Sequence, residues 1–240
     1  DILLANLFLG KPIKIKDKIT FNPTIISDII NIGWDKFLNY INIFAMEPEV
    51  VLENYMDLDV YNSWDLVKFL LKVSPEFKED FINALNFVLK EKVFIDGLSI
   101  IIEGENSTFY NLDEEMFIAL KNIVAIQMGK RTPIEEEERP INEEAARLLK
   151  RRKEVRANLE KAKAKENKQK DEFYFSNLLV RLCAKNTSGI NQLNIDSLTF
   201  YAVKEHLKVL INIESYQNDT IALMNGANIK LTHWTDLSDS

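Results

Sequence analysis

The chain has 240 residues, is 46% hydrophobic, and carries 30 Lys and Arg against 37 Asp and Glu for a formal net charge of -7. That is enough apolar content for one sizeable core or two small ones, and it excludes global disorder; the acidic balance argues against non-specific nucleic-acid binding by the whole surface. Asp35, Lys36, Lys68, Lys72 and Lys90 interrupt the most hydrophobic stretches, so no run approaches the roughly 18 to 20 uncharged residues of a spanning helix and no membrane span is expected.

The opening ILLANLFLG is too short for a secretory signal and lacks its basic flank, and is expected to be the start of the fold. Ile13, Ile15, Ile19 and Phe21 alternate with polar residues across Lys16-Asp17-Lys18, which predicts a short hairpin ended by Pro23. Thr24 or Ser27 can cap TIISDIINIG, with Gly33 placed to stop it. WDKFLNYINIFA then carries an apolar helical face at Trp34, Phe37, Leu38, Ile41 and Phe44. Ser63 or Asn62 caps WDLVKFLLKV. Ser74-Pro75 pairs an N-cap with proline at the first helical position and opens a helix to about Glu91, with Phe77, Phe81, Leu85 and Val88 inward. Between Lys92 and Tyr110 the residues are β-branched and aromatic, punctuated by Gly97 and Gly104, and one or two hairpin strands are expected. A helix from about Asp113 to Met128, stopped by Gly129, closes this part, with Trp34, Phe37, Phe81 and Phe87 expected in its core.

The next segment is highly charged. Asn142, just after Pro140, is a good N-cap, and Glu143 and Glu144 meet the positive end of the helix dipole. The seam of the helix they start is thin: Ala145, Leu148, Val155 and Leu159, with Arg152 in one seam position. Such a helix buries little and takes its order from docking on another surface, which makes Ala145, Leu148, Arg152, Val155 and Leu159 the candidate partner-binding residues. From Arg139 to Lys170 there are twelve Lys or Arg and five Glu, 12 - 5 = +7, preceded by the four glutamates 135–138. A basic arm could therefore touch an acidic partner or nucleic acid, although it has none of the aromatic residues on which single-stranded bases stack.

The closing region reads as all-helical. FYFSNLLVRLCAK ends at the turn NTSG, Asn194 or Asp196 starts SLTFYAVKEHLKVLINI, and a third helix is expected from about Glu214 to Asn225-Gly226, with Ile229, Leu231 and Trp234 of the tail packing back. Leu179, Leu182, Phe200 and Leu207 are its expected core. A part of roughly 70 residues is small for independent stability and would draw on the arm, the first region or another subunit. No internal repeat is evident. The expected architecture is α+β and predominantly helical: a helix-rich part with small β-hairpin elements at 1–130, a charged helical arm at 131–170, and a small all-α part at 171–240.

Catalytic signals are nearly absent. His206 and His233 have no metal-ligand spacing, and neither forms a nucleophile motif with Cys183, the single cysteine, which a helical pattern places as a buried thiol. One cysteine excludes an internal disulfide and fits a cytosolic protein. Gly129-Lys130-Arg131-Thr132 lacks the earlier glycine and the strand of a phosphate loop, and Asp57 with Asp59 lacks the ligand set of an EF-hand. No catalytic residue, metal or cofactor is expected.

The opening LFLGKPIKI, the proline-led charged helix RPINEEAARLLKRRKEVRANLEKAKAK, the segment LTFYAVKEHLKVL, the turn Asn225-Gly226-Ala227 and His233-Trp234 together resemble the tail assembly proteins, usually described as tail assembly chaperones, of long-tailed bacteriophages infecting Firmicutes. In that family the closing signature L-T-x-Y continues Q-F-Y, whereas Tyr201 is followed here by Ala202-Val203. The resemblance implies a non-catalytic protein that binds the tape measure protein or tail-tube subunits, or itself, in the host cytoplasm while the tail is built. Its alternatives are a permanent part of the virion in the tail, baseplate or neck, and a nucleic-acid-associated protein using the basic arm.

Overall fold

A computed structural model describes residues 2–51, 60–104, 107–130, 174–185, 189–225 and 233. The chain divides into two compact units, one comprising Pro12–Asn22 and Ile32–Glu172, the other Asp1–Lys11, Pro23–Asn31 and Phe173–Ser240. The fold is α+β and helix-dominated, with small antiparallel sheets of two and three strands.

The larger unit begins with the hairpin β1 (Ile13–Ile15) and β2 (Ile19–Phe21), in which Ile15 pairs with Ile19. Lys16 and Asp17 both have positive φ, 50° and 54°, and Lys18 N–H donates to the Ile15 carbonyl at 3.1 Å. That is a left-handed turn whose twist suits a hairpin, here made without glycine. The short helix α4 (Pro48–Val51) follows α3 (Trp34–Ala45), and α3, α5 (Ser63–Val73) and α6 (Pro75–Leu89) pack around Phe117 of α7 (Glu114–Gln127), whose ring lies 5.3 Å from Trp64, 6.2 Å from Phe81 and 6.4 Å from Phe44. Local chemistry sets the starts of these helices. The side chains of Asn62, Ser74 and Asp113 accept from the N–H groups of Asp65, Phe77 and Met116, and Pro75 occupies the first turn of α6. Between α6 and α7 lies a three-stranded antiparallel meander, β3 (Lys92–Asp96), β4 (Ser99–Glu103) and β5 (Phe109–Asn111). Asn86 of α6 accepts from Val93 N–H at 2.9 Å and holds β3 against the helix.

Phe37 and Phe81 are fully buried. Trp34 and Phe87 are only half-buried: they flank Phe37 at 5.5 and 6.1 Å and close the edge of the core instead of filling it.

The smaller unit contains α1 (Ile2–Leu9), α2 (Ile26–Ile32), α8 (Tyr174–Lys185), a 3-10 turn (Ile195–Ser197) and α9 (Phe200–Met224). Its described closing residues are helical and turn. The segment at residues 24–26 is stitched to 198–200 by an Ile25–Thr199 bridge, with Ile26 N–H donating to Leu198 at 2.9 Å and Phe200 N–H to Thr24 at 2.8 Å. These pairings join residues more than 170 positions apart, so the unit draws on the start of the chain.

The structure departs from four local expectations. Helix α2 begins at Ile26, so Ser27 lies inside it, and the Ile25 carbonyl accepts the first turn's N–H groups. Thr199, not Asn194 or Asp196, caps the last helix, while Asn194 organises the preceding loop, accepting from Asn191 N–H and donating to Gly189. The expected third helix from Glu214 is the second half of α9, which runs unbroken for 25 residues; no Gly or Pro interrupts Phe200–Met224, and the polar residues Asn212, Glu214 and Ser215 are tolerated on a helix surface. In α8 the fully inward positions are Leu178 and Leu182, with Leu179 half-buried.

Candidate partner-binding surface

The sequence ILLANLFL of α1 is apolar around almost its whole circumference, yet only Leu7 is buried. A helix of this composition ordinarily lies inside a core. Here Ile2 is 82% and Leu9 62% exposed, and Leu4 and Phe8 are also exposed. Leu4 with Phe8, and Ala5 with Leu9, are four residues apart and fall on neighbouring rows of one face.

The end of α1 is tightly made. Lys11 N–H donates to the Asn6 carbonyl at 2.9 Å, and Gly10 has φ +70°, which together form a Schellman-type stop. A Cβ at Gly10 would meet Thr199 Cγ2 at 3.3 Å. Thr199 Oγ1 accepts from Ala202 N–H at 3.0 Å, capping α9, and donates to the Phe8 carbonyl at 3.4 Å. One hydroxyl therefore serves the end of α1 and the start of α9.

Between these two helices runs an open groove of about 370 Å³, lined by Leu4, Ala5, Phe8, Leu9, Tyr201 and Glu205. His206 packs on Phe8 with ring centroids 5.4 Å apart, and burial lowers its pKa. Lys204 is turned towards Phe200, its ammonium 5.8 Å from the ring centre; burial lowers its pKa, partly opposed by Glu205. Away from the groove, Glu214 of α9 binds Arg181 at 3.0 Å and also Lys185, both on α8, and its hydrogen bond from Lys185 is the main cause of a carboxyl held below its ordinary range. His233 stacks edge-on against Tyr216 at 5.2 Å.

The five arm positions expected to bind a partner, Ala145, Leu148, Arg152, Val155 and Leu159, lie outside the described residues, as do Asp57, Asp59, Arg131, Thr132, Glu135 to Glu138, Ile229, Leu231 and Trp234. Among the described residues α1 carries several exposed apolar side chains, and it is a segment read from sequence only as the start of the fold. Its composition held the signal: eight residues with a single polar side chain, Asn6, leave no solvent face. Cys183 is half-buried on α8. Among the described residues no group of three or more His, Cys, Asp or Glu side chains could hold a metal ion, and no helix is long and apolar enough to cross a membrane.

Residues 165–239 match the family described as the YomV second domain, a phage-derived family of Bacillus prophage type, and this similarity suggests a phage protein. The match takes in α8 and α9. No curated protein and no solved structure matches the chain.

Proposed function

We propose that this is a non-catalytic protein of phage tail construction, which binds the tape measure protein or tail-tube subunits in the host cytoplasm. The observation that carries this reading is the exposed apolar face of α1, with Ile2, Leu4, Phe8 and Leu9 turned outward on one short helix. Contiguous apolar surface rimmed by polar residues marks an interaction site, because leaving it in water forfeits the stabilisation that burial would provide. The similarity of residues 165–239 to a phage-derived family supports a phage setting, and the resemblance of several segments to tail assembly proteins supports the specific role.

Co-purification and sedimentation with the neighbouring tail proteins test the reading. A complex that survives raised salt is expected, since apolar contacts release few counterions, and Leu4→Asp with Leu9→Asp should abolish it without unfolding the protein. A protein that binds no tail component but binds RNA or DNA with a steep salt dependence, lost on charge reversal at Arg151 and Arg152, would overturn it. Recovery of the protein in purified particles would instead make it a permanent virion part.

A further inference from the structure

We propose that the groove between α1 and α9 receives an amphipathic helix of a protein partner, whose apolar anchors lie along α1 and whose flanking Lys or Arg faces Glu205. This rests on the reading that α1 is the docking face and names what docks there.

Eight residues of α-helix make α1 about 12 Å long. Anchors at i, i+3 or i+4, and i+7 of a partner helix span roughly the same length, about 10.5 Å. A partner helix laid along α1 would set about two turns of its apolar face against Leu4, Phe8 and Leu9 of the groove wall.

Charge decides the rest of the partner's chemistry. Glu205 is the one carboxylate among the residues lining the groove, and it makes no ion pair among the described residues. Its neighbour Lys204 is turned to the Phe200 ring, and although burial lowers its pKa it still feels the Glu205 charge, which raises it, so the lysine offsets part of that charge. His206, beside it on Phe8, has its pKa lowered by burial, which favours the uncharged ring. The groove wall is thus apolar with a negative group, and a cation on the partner would be complementary. The same carboxylate works against the other occupant an exposed apolar helix could have, an anionic membrane surface.

The test uses the full chain with two designed helical peptides. Both carry Leu at the anchor positions; one has Lys and the other Glu at the flanking position. Fluorescence anisotropy is expected to show the Lys peptide binding about three- to fivefold more tightly, the size of a partly exposed ion pair. Glu205→Lys should reverse that preference, and Leu9→Asp should abolish binding of both peptides. Far-UV circular dichroism and the melting temperature verify that each variant folds, with Glu205→Gln as the milder substitution. Equal affinity for the two peptides, or binding unaffected by Leu9→Asp, would overturn the inference. So would Leu9-dependent binding to vesicles of anionic lipid without binding to either peptide. If tail proteins bind in a way that Leu4→Asp with Leu9→Asp abolishes but Glu205→Lys leaves unchanged, the tail-assembly role stands and this assignment of the partner's charge fails. If the peptides bind as described but no tail protein does, the groove stands and the tail-assembly role fails.

Discussion

Lys121, only 1% exposed in the middle of α7, places its ammonium 3.2 Å from Glu47 Oε1, across 74 positions of sequence at the end of α3. The two partners are not equivalent, because the Glu47 side chain is 26% exposed. Removing the carboxylate takes a charged partner from a cation in the core, whereas removing the lysine leaves a carboxylate that water still reaches. Breaking a buried pair by deleting one partner costs about 3 to 5 kcal/mol because the other charge is left buried, and the cost is smaller where the charge left behind reaches water. Glu47→Ala is therefore expected to destabilise the protein more than Lys121→Met. Urea denaturation of the two variants measures the difference, and equal midpoint losses would show that the pair does not act in this way.

Phe81 is fully buried, stacked on Phe77 at 5.6 Å and tilted against Phe117 at 6.2 Å. Truncation would leave a void bordered by rigid rings. Phe81→Ala should cost about 3 to 5 kcal/mol, while Trp34→Ala, at the half-buried edge of the same cluster, should cost less. A melting temperature unchanged by the Phe81 substitution would contradict the packing described.

What could be read from the sequence follows from how local each signal is. Asn62-Ser63, Ser74-Pro75 and Asp113 announce helix starts within four residues; all three starts hold, with Asn62 and not Ser63 as the cap of the first. The alternation of Ile13, Ile15, Ile19 and Phe21 likewise contains its own pairing. Where a residue's role depends on a distant segment, local pattern fails. Thr199 caps α9 and also reaches Phe8, 191 positions away. Lys121 looks like an ordinary polar position on α7 until Glu47 is placed beside it. In α8 consecutive leucines make helical phase ambiguous, and the folded structure buries Leu178 more deeply than Leu179. The candidate surface was hidden for a related reason: an apolar octapeptide can be core or interface, and burial alone distinguishes them.

The shared hydroxyl of Thr199 makes α1 sensitive to a substitution on α9. Thr199→Val keeps the shape but removes the cap of α9 and the donor to the Phe8 carbonyl, and loss of an N-cap typically costs about 1 kcal/mol. Thr199→Ser retains both bonds and should be near neutral. Gly10→Ala should be worse than its size suggests, because a left-handed conformation costs an L-residue about 1 to 2 kcal/mol and the new methyl meets Thr199 Cγ2 at 3.3 Å. Hydrogen exchange of the α1 amides measures this coupling. Faster exchange there in Thr199→Val but not in Thr199→Ser is the expected result, and identical exchange in both would separate α1 from the cap.

His206 gives the same region a pH dependence whose sign follows from its environment. Burial lowers its pKa, so the unfolded chain, with an imidazole near the ordinary value of about 6.5, binds the proton more readily than the folded one. Stability contributed by the neutral ring is therefore complete above about pH 6.5 and falls as pH drops through the unfolded value towards the folded one. Below both values it falls no further. The contact affected is the packing of His206 on Phe8, so acid should loosen α1 from α9. His206→Phe keeps an aromatic ring without the titration. Melting temperatures measured at pH 7.5 and 5.5 should show a larger acid-induced drop for the natural sequence than for this variant. A drop of equal size in both would assign the pH dependence to other groups, and a smaller drop in the natural sequence would reverse the sign argued from burial.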